Sequence, residues 1–149
     1  MARILVSMCL LGENCRYDGK NCLNEEVREL AKDHTLIPVC PEQMGGLSTP
    51  RSPSEIVSGR LITREGKDVT EEYERGRQTA LDIARLSNVD YVLLKSKSPS
   101  CGKGKIYDGS FTGTLTEGNG YTVRLFLENG YRVYSDEEIG KLKEELIDK

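Results

Sequence analysis

Three short apolar runs in this chain end at, or a few residues before, a cysteine. Ile4 to Met8 leads into Cys9, Leu36 to Val39 leads into Cys40, and Cys101 lies five residues past the stretch Tyr91 to Ser96. A run that is apolar on both faces reads as a strand buried inside a parallel sheet. Parallel strands present their carboxyl ends along one edge, and open α/β sheets bind ligands in the crevice beyond that edge. Cysteines far apart in the chain are therefore expected to meet at one point, and three thiols gathered there point to a metal or cluster site.

The remaining pattern agrees with an alternating α/β chain. Asn24 is placed as the N-cap of a helix running to about His34, with Val27, Leu30 and Ala31 on one face. Gln43 to Pro53, with Gly45, Gly46 and two prolines, reads as an irregular loop, and Glu55 to Thr63 as a hairpin turning at Ser58-Gly59. Asp68 and Glu71 suggest a capping box for a long helix from Val69 to Ser87, whose stripe is Val69, Tyr73, Ala80, Ile83 and Ala84. Lys97 to Gly113 reads as a Gly-, Ser- and Lys-rich loop, followed by a helix at Tyr121 to Glu128 that stops at Asn129-Gly130. Tyr131 to Tyr134 is a short fourth strand, and Ser135 with Glu138 caps a last helix carrying Ile139, Leu142, Leu146 and Ile147. Strands alternating with helices predict a three-layer α/β domain with a mainly parallel, Rossmann-like sheet, one domain over residues 1–149.

Bulk composition removes several function classes. Hydrophobic residues make up 37% and charged residues 30%, as in a globular domain, and the net charge of −3 argues against a generally nucleic-acid-binding surface. No run approaches the roughly 20 apolar residues of a membrane span. The first strand starts directly after Met-Ala-Arg, so no export signal is expected. Five cysteines in such a chain suggest a reducing cytoplasm, where clustered thiols bind metal or do chemistry more often than they form disulfides.

A single cysteine is usually a small buried hydrophobe, but the joint placement of Cys9, Cys40 and Cys101 is harder to assign to packing. Cys15 and Cys22 lie in a turn-rich loop without CxxC spacing and read as incidental, accessory or redox-active residues. Structural zinc takes four ligands. The one histidine, His34, is expected at a helix end in solvent, so zinc would need Cys15 or Cys22. Three thiolates instead suit an iron–sulfur cluster with one iron left open, and a soft site of that kind suits a soft substrate atom such as sulfur. A cysteine phosphatase or arsenate reductase of the low-molecular-weight type is the rival, with its C-x5-R loop after the first strand. Here Arg16 falls at C-x6-R from Cys9, and the late Asp-Pro pair is missing.

Five separated motifs carry a closer likeness. They are Cys9-Leu-Leu-Gly with Arg16-Tyr17-Asp18-Gly19, then Val39-Cys40-Pro41-Glu42 with Gly45-Gly46-Leu47 and Pro50-Arg51, and then Gly66-Lys67-Asp68-Val69-Thr70. Leu94 to Gly102 and Ile106-Tyr107-Asp108-Gly109-Ser110-Phe111 complete the set. Together they resemble the bacterial and archaeal domain family that contains thiouracil desulfidase, over nearly the whole chain. The resemblance implies a [4Fe-4S] cluster on Cys9, Cys40 and Cys101, and non-redox removal of sulfur from a thiolated nucleobase or nucleotide, releasing sulfide.

Within that frame Glu42, two residues after Cys40, is the candidate general base or proton shuttle. Ser98 and Ser100 flank Pro99 before Cys101 and are candidates to bond substrate or cluster sulfides, Ser100 ahead of Ser98. Asp18 is a candidate substrate contact, although an Asx turn accounts for it equally well. Lys103 belongs with Lys95, Lys97 and Lys105 to a local positive patch that would offset cluster charge or meet a substrate phosphate. A non-catalytic metal- or sulfide-binding protein remains the alternative of a different class, and substitution of Glu42 separates the two.

Overall fold

The sheet that gathers the three cysteine loops has four strands, all parallel, in a computed structural model that describes residues 1–147. The expected domain over 1–149 runs two residues beyond the described part. β1 (Arg3–Ser7) lies at the centre, flanked by β2 (Thr35–Val39) on one side and β5 (Tyr91–Leu94) on the other, with β8 (Val133–Ser135) outside β5. Two antiparallel hairpins stand apart from it: β3 (Ser54–Val57) with β4 (Arg60–Thr63), and β6 (Lys105–Tyr107) with β7 (Leu115–Glu117).

Side chains alternate across the sheet and divide the core in two. Ile4, Val6 and Leu93 face α1 (Glu25–Glu29) and α5 (Ile139–Leu146), meeting Val27, Leu142 and Leu146. Leu5, Val92 and Leu94 face α3 (Thr70–Leu86) and α4 (Tyr121–Glu128), meeting Ala80, Leu81, Val123 and Phe126. Each fully buried leucine or phenylalanine contributes about 1.5–3 kcal/mol. The three-layer α/β expectation holds.

The chain leaves β1 by α1 on one face to reach β2, and leaves β5 by way of α4 on the other face to reach β8. Neighbouring strands whose connections depart to opposite faces open a crevice at their carboxyl ends. That crevice lies between the ends of β1 and β5, so the loop holding Cys9 and the loop holding Cys101 border it directly.

Four local expectations need correction. Gln43 and Met44 are not loop, because Pro41–Met44 forms a one-turn helix, α2, started by a proline that needs no N–H partner. Its position depends on two glycines that face each other: a Cβ on Gly45 would overlap the Glu72 carbonyl of α3, and one on Gly76 would overlap the Pro41 carbonyl. Next, no capping box opens α3. Asp68 accepts from the Thr70 N–H at 2.9 Å instead, and Val69 holds the cap position. The stretch 97–113 contains β6, three residues long and too short to show a period-2 signal. Finally, His34 is half-buried rather than solvated, its Nδ1 accepting the Ala2 N–H at 3.0 Å. The hairpin at Ser58-Gly59 and the Ser135–Glu138 capping box are both present.

Candidate active site

Beyond the carboxyl ends of β1, β2 and β5 lies a cleft of about 400 Å³ whose lining includes all five cysteines. Cys9 sits in the 3-10 turn Met8–Leu11 that follows β1, Cys40 at the N-cap of α2, and Cys101 in the turn after β5. All three are buried, and so is Cys15 at 4% exposure. The loop that the sequence set aside thus delivers a thiol to the floor: Cys15 lines the cleft, and its carbonyl lies 3.9 Å from the Cys40 sulfur. Spacing gave no sign of it, because the Cys15 loop folds back through contacts that are not local. Cys22 is half-buried on the cleft wall, where the Arg16 Nη1 donates to its sulfur at 3.2 Å.

Three of the floor thiols, Cys15, Cys40 and Cys101, are raised toward the neutral form. For Cys15, hydrogen bonding from Cys40 favours the thiolate, but bonding to Cys9 and burial outweigh it and push the thiol up to about 12. The Cys40 thiol is raised by its bond to Cys15 and then by burial. Burial comes first for Cys101, with the charge of Glu42 second, and the thiol reaches about 12. Buried thiols of this kind become thiolates only when a cation replaces their protons. Among the described residues no group of three or more His, Cys, Asp or Glu side chains forms the ligand set of a single metal ion. The floor is nevertheless all soft sulfur, with no carboxylate bonded to it, and a multi-iron cluster spreads its ligands over several metals. The donor set fits an iron–sulfur cluster.

The wall beside this floor is built on Glu42. Its Oε2 accepts from the Tyr73 hydroxyl at 2.9 Å and from Arg51 Nε at 3.2 Å. Tyr73 keeps its proton for this bond, since burial first and the Glu42 charge second hold it well above the usual phenol range. The Arg51 guanidinium also donates to the Cys15 carbonyl at 2.9 Å and to the Ser48 carbonyl at 3.1 Å. One arginine, with its side chain only 8% exposed, thus ties the carboxylate to the loop that carries a floor thiol. Neither Tyr73 nor Arg51 was singled out from the sequence. Tyr73 reads there as core stripe, and only the tertiary contact with α2 reveals its second role.

The other candidates are sorted by where they point. Ser98 lines the cleft, and its Oγ accepts the N–H groups of Ser100 and Cys101, both at 3.0 Å. Ser100 is 1% exposed and bonded to Thr122 at 2.7 Å, with Cys101 Sγ 3.8 Å away. Ser98 thus meets the open cleft, whereas the buried Ser100 lies outside its lining, between Thr122 and the Cys101 sulfur. Lys103 is bound to Glu138 at 2.9 Å outside the cleft lining, so it is not available to a ligand there. Asp18 is also outside the lining; it bonds Arg16 at 3.0 Å and closes an Asx turn on the Lys20 N–H. Of the lysine patch, Lys95 and Lys97 reach the cleft.

A cleft floored by thiols at the switch point of a parallel α/β sheet is the setting of an enzyme that holds a soft metal cofactor. The sequence profile of the 2-thiouracil desulfurase family matches residues 4–138, and the chain belongs to that family. It is 42% identical to the uncharacterized protein YbbK of Bacillus subtilis (strain 168), over 93% of this chain and 99% of that one. Among solved structures it is similar to the [4Fe-4S]-dependent thiouracil desulfidase TudS, with a TM-score of 0.93 and 38% identity over 98% of both chains.

Proposed function

We propose that this protein is an iron–sulfur-dependent desulfidase that converts the thiocarbonyl of a thiolated nucleobase or nucleotide to a carbonyl and releases sulfide. The observation that carries this reading is the meeting of Cys9, Cys40 and Cys101 in one cleft with the bonded carboxylate of Glu42 on its wall. Those three cysteines are the residues that would hold a [4Fe-4S] cluster. When bound, such a cluster offers an iron without a protein ligand, a soft Lewis acid suited to thiocarbonyl sulfur.

The protein's own residues supply the rest. One water is consumed for each sulfide released, and the carbon keeps its oxidation state, so no electron donor enters the balance. Glu42 takes a proton from that water or passes one to the leaving sulfur. Tyr73 and Arg51 hold one of its oxygens, which fixes the carboxylate over the floor. Ser98 shapes the turn that presents Cys101 and offers its hydroxyl oxygen at the cleft. A small molecule suits a cleft of this size better than a nucleic acid, and the chain's net negative charge points the same way. The protein acts in the cytoplasm on this reading, and no helix among the described residues is long and apolar enough to cross a membrane.

The test is anaerobic purification with iron and sulfide reconstitution, followed by assay of sulfide and oxo product from 2-thiouracil and 4-thiouridine. The expected result is one oxo product per sulfide, dependent on the reconstituted chromophore. Near-stoichiometric zinc with no iron–sulfur absorbance would overturn the cofactor assignment.

A further inference from the structure

The motif Ile106 to Phe111 has no part in the chemistry above, yet it delivers a strained aromatic side chain to the cleft. We propose that Phe111 is the surface on which the substrate's ring stacks, held in place by Glu55; this rests on the desulfidase reading and names what that site recognises.

Phe111 lines the same cleft as the thiols and is half-buried. It belongs to none of the three apolar clusters that form the core, either as a member or as a neighbour packed against one. Its backbone is left-handed at φ 59°, a conformation that bulky side chains rarely adopt. Strained residues of this kind persist only where their surroundings hold them, and they collect at ligand sites.

The holding group is visible. Glu55 of β3 is only 8% exposed, and its Oε1 accepts both the Gly109 N–H at 2.9 Å and the Phe111 N–H at 3.2 Å. Gly109 lies so close to β3 that a Cβ would come to 2.6 Å from the Ile56 carbonyl oxygen. Asp108 adds an Asx turn by accepting the Ser110 N–H at 3.0 Å. A carboxylate carries a high cost of burial unless it makes strong hydrogen bonds. Here those bonds fix a loop whose one large apolar side chain faces the cleft rather than the core. A flat heteroaromatic ring is the ligand that such a surface takes, because stacking on an aromatic face works for any base.

The test compares Phe111→Leu, Phe111→Tyr and Glu55→Gln in the reconstituted enzyme, with cluster absorbance as the control for folding. KM and kcat are measured with 2-thiouracil, and the affinity for uracil, which has no sulfur to lose, is measured by calorimetry. Phe111→Leu is expected to raise KM and weaken uracil binding about 5- to 100-fold with little change in kcat. Phe111→Tyr should stay near wild type, and Glu55→Gln should shift KM in the same direction as the leucine variant. Leucine serving as well as tyrosine, or a loss confined to kcat, would overturn the stacking role. Wild-type protein that binds uracil through Phe111 but releases no sulfide would sink the desulfidase reading and leave the stacking role standing. Failure to bind either compound would sink both.

Discussion

The floor and the wall of the cleft lie side by side and are built on opposite principles. The wall is largely finished: the Oε2 of Glu42 has two donors, and the arginine that supplies one of them bonds through all three of its nitrogens. The floor is not finished. Burial and neighbouring groups raise its Cys15, Cys40 and Cys101 thiols toward the neutral form, and the acceptors they meet are weak ones, the Cys15 carbonyl at 3.9 Å and the Ser100 hydroxyl at 3.8 Å. Polar groups that are buried without strong partners cost stability, so natural proteins rarely bring them together without a use. The floor is thus the part of the site shaped for a cofactor, and the wall the part whose residues are already held in place.

Replacing the three proposed cluster ligands tests this contrast most severely. Cys9→Ser, Cys40→Ser and Cys101→Ser should each abolish both the iron–sulfur absorbance and sulfide release, read by visible spectroscopy and assay. Glu42→Gln belongs to the wall and should behave differently, keeping the absorbance while turnover falls by about 10²- to 10⁴-fold. If the glutamine variant instead lost its cluster, floor and wall would be one unit. Tyr73→Phe removes one of two donors to the same carboxylate and should lower kcat by about 10- to 100-fold, the worth of a hydrogen bond to a charged group. Its cluster content, measured as iron per chain, should be unchanged.

The contrast also has a pH signature. Each proposed ligand thiol must give up a proton when it takes iron, so loading is opposed by the raised Cys40 and Cys101 thiols. Iron occupancy after reconstitution should therefore rise between about pH 6.5 and 8.5, the direction set by thiol deprotonation. Asp18→Asn lies at the bottom of the scale. It breaks a partly exposed ion pair outside the cleft, worth about 0–1 kcal/mol, and should leave kcat/KM within a few-fold of wild type.

Much of the floor could be read from the chain because central parallel strands carry their own signal. Ile4 to Val6 and Tyr91 to Leu94 are apolar on both faces, and topology alone then brings Cys9 and Cys101 to one crevice. The wall was far less legible. Glu42 was legible from its motif, but its partners Tyr73 and Arg51 come from 31 and 9 residues away. Helix α2, which sets the carboxylate in place, exists because Gly45 and Gly76 let two backbones touch, and glycines in a sequence read as loop. The place of Cys15 on the floor was hidden for the same reason, since its carbonyl is held by Arg51, 36 residues further along the chain. Lys103 was overvalued because its partner Glu138 lies 35 residues further on.

The division between floor and wall depends on which thiols hold the cofactor. The most direct measurement is iron and acid-labile sulfide per chain, taken on reconstituted wild type and on Cys15→Ala. The prediction is four of each, the content of a [4Fe-4S] cluster such as that named for TudS, in both proteins. Loss of the cluster from Cys15→Ala, or a wild-type protein that takes up one zinc and no iron, would contradict it.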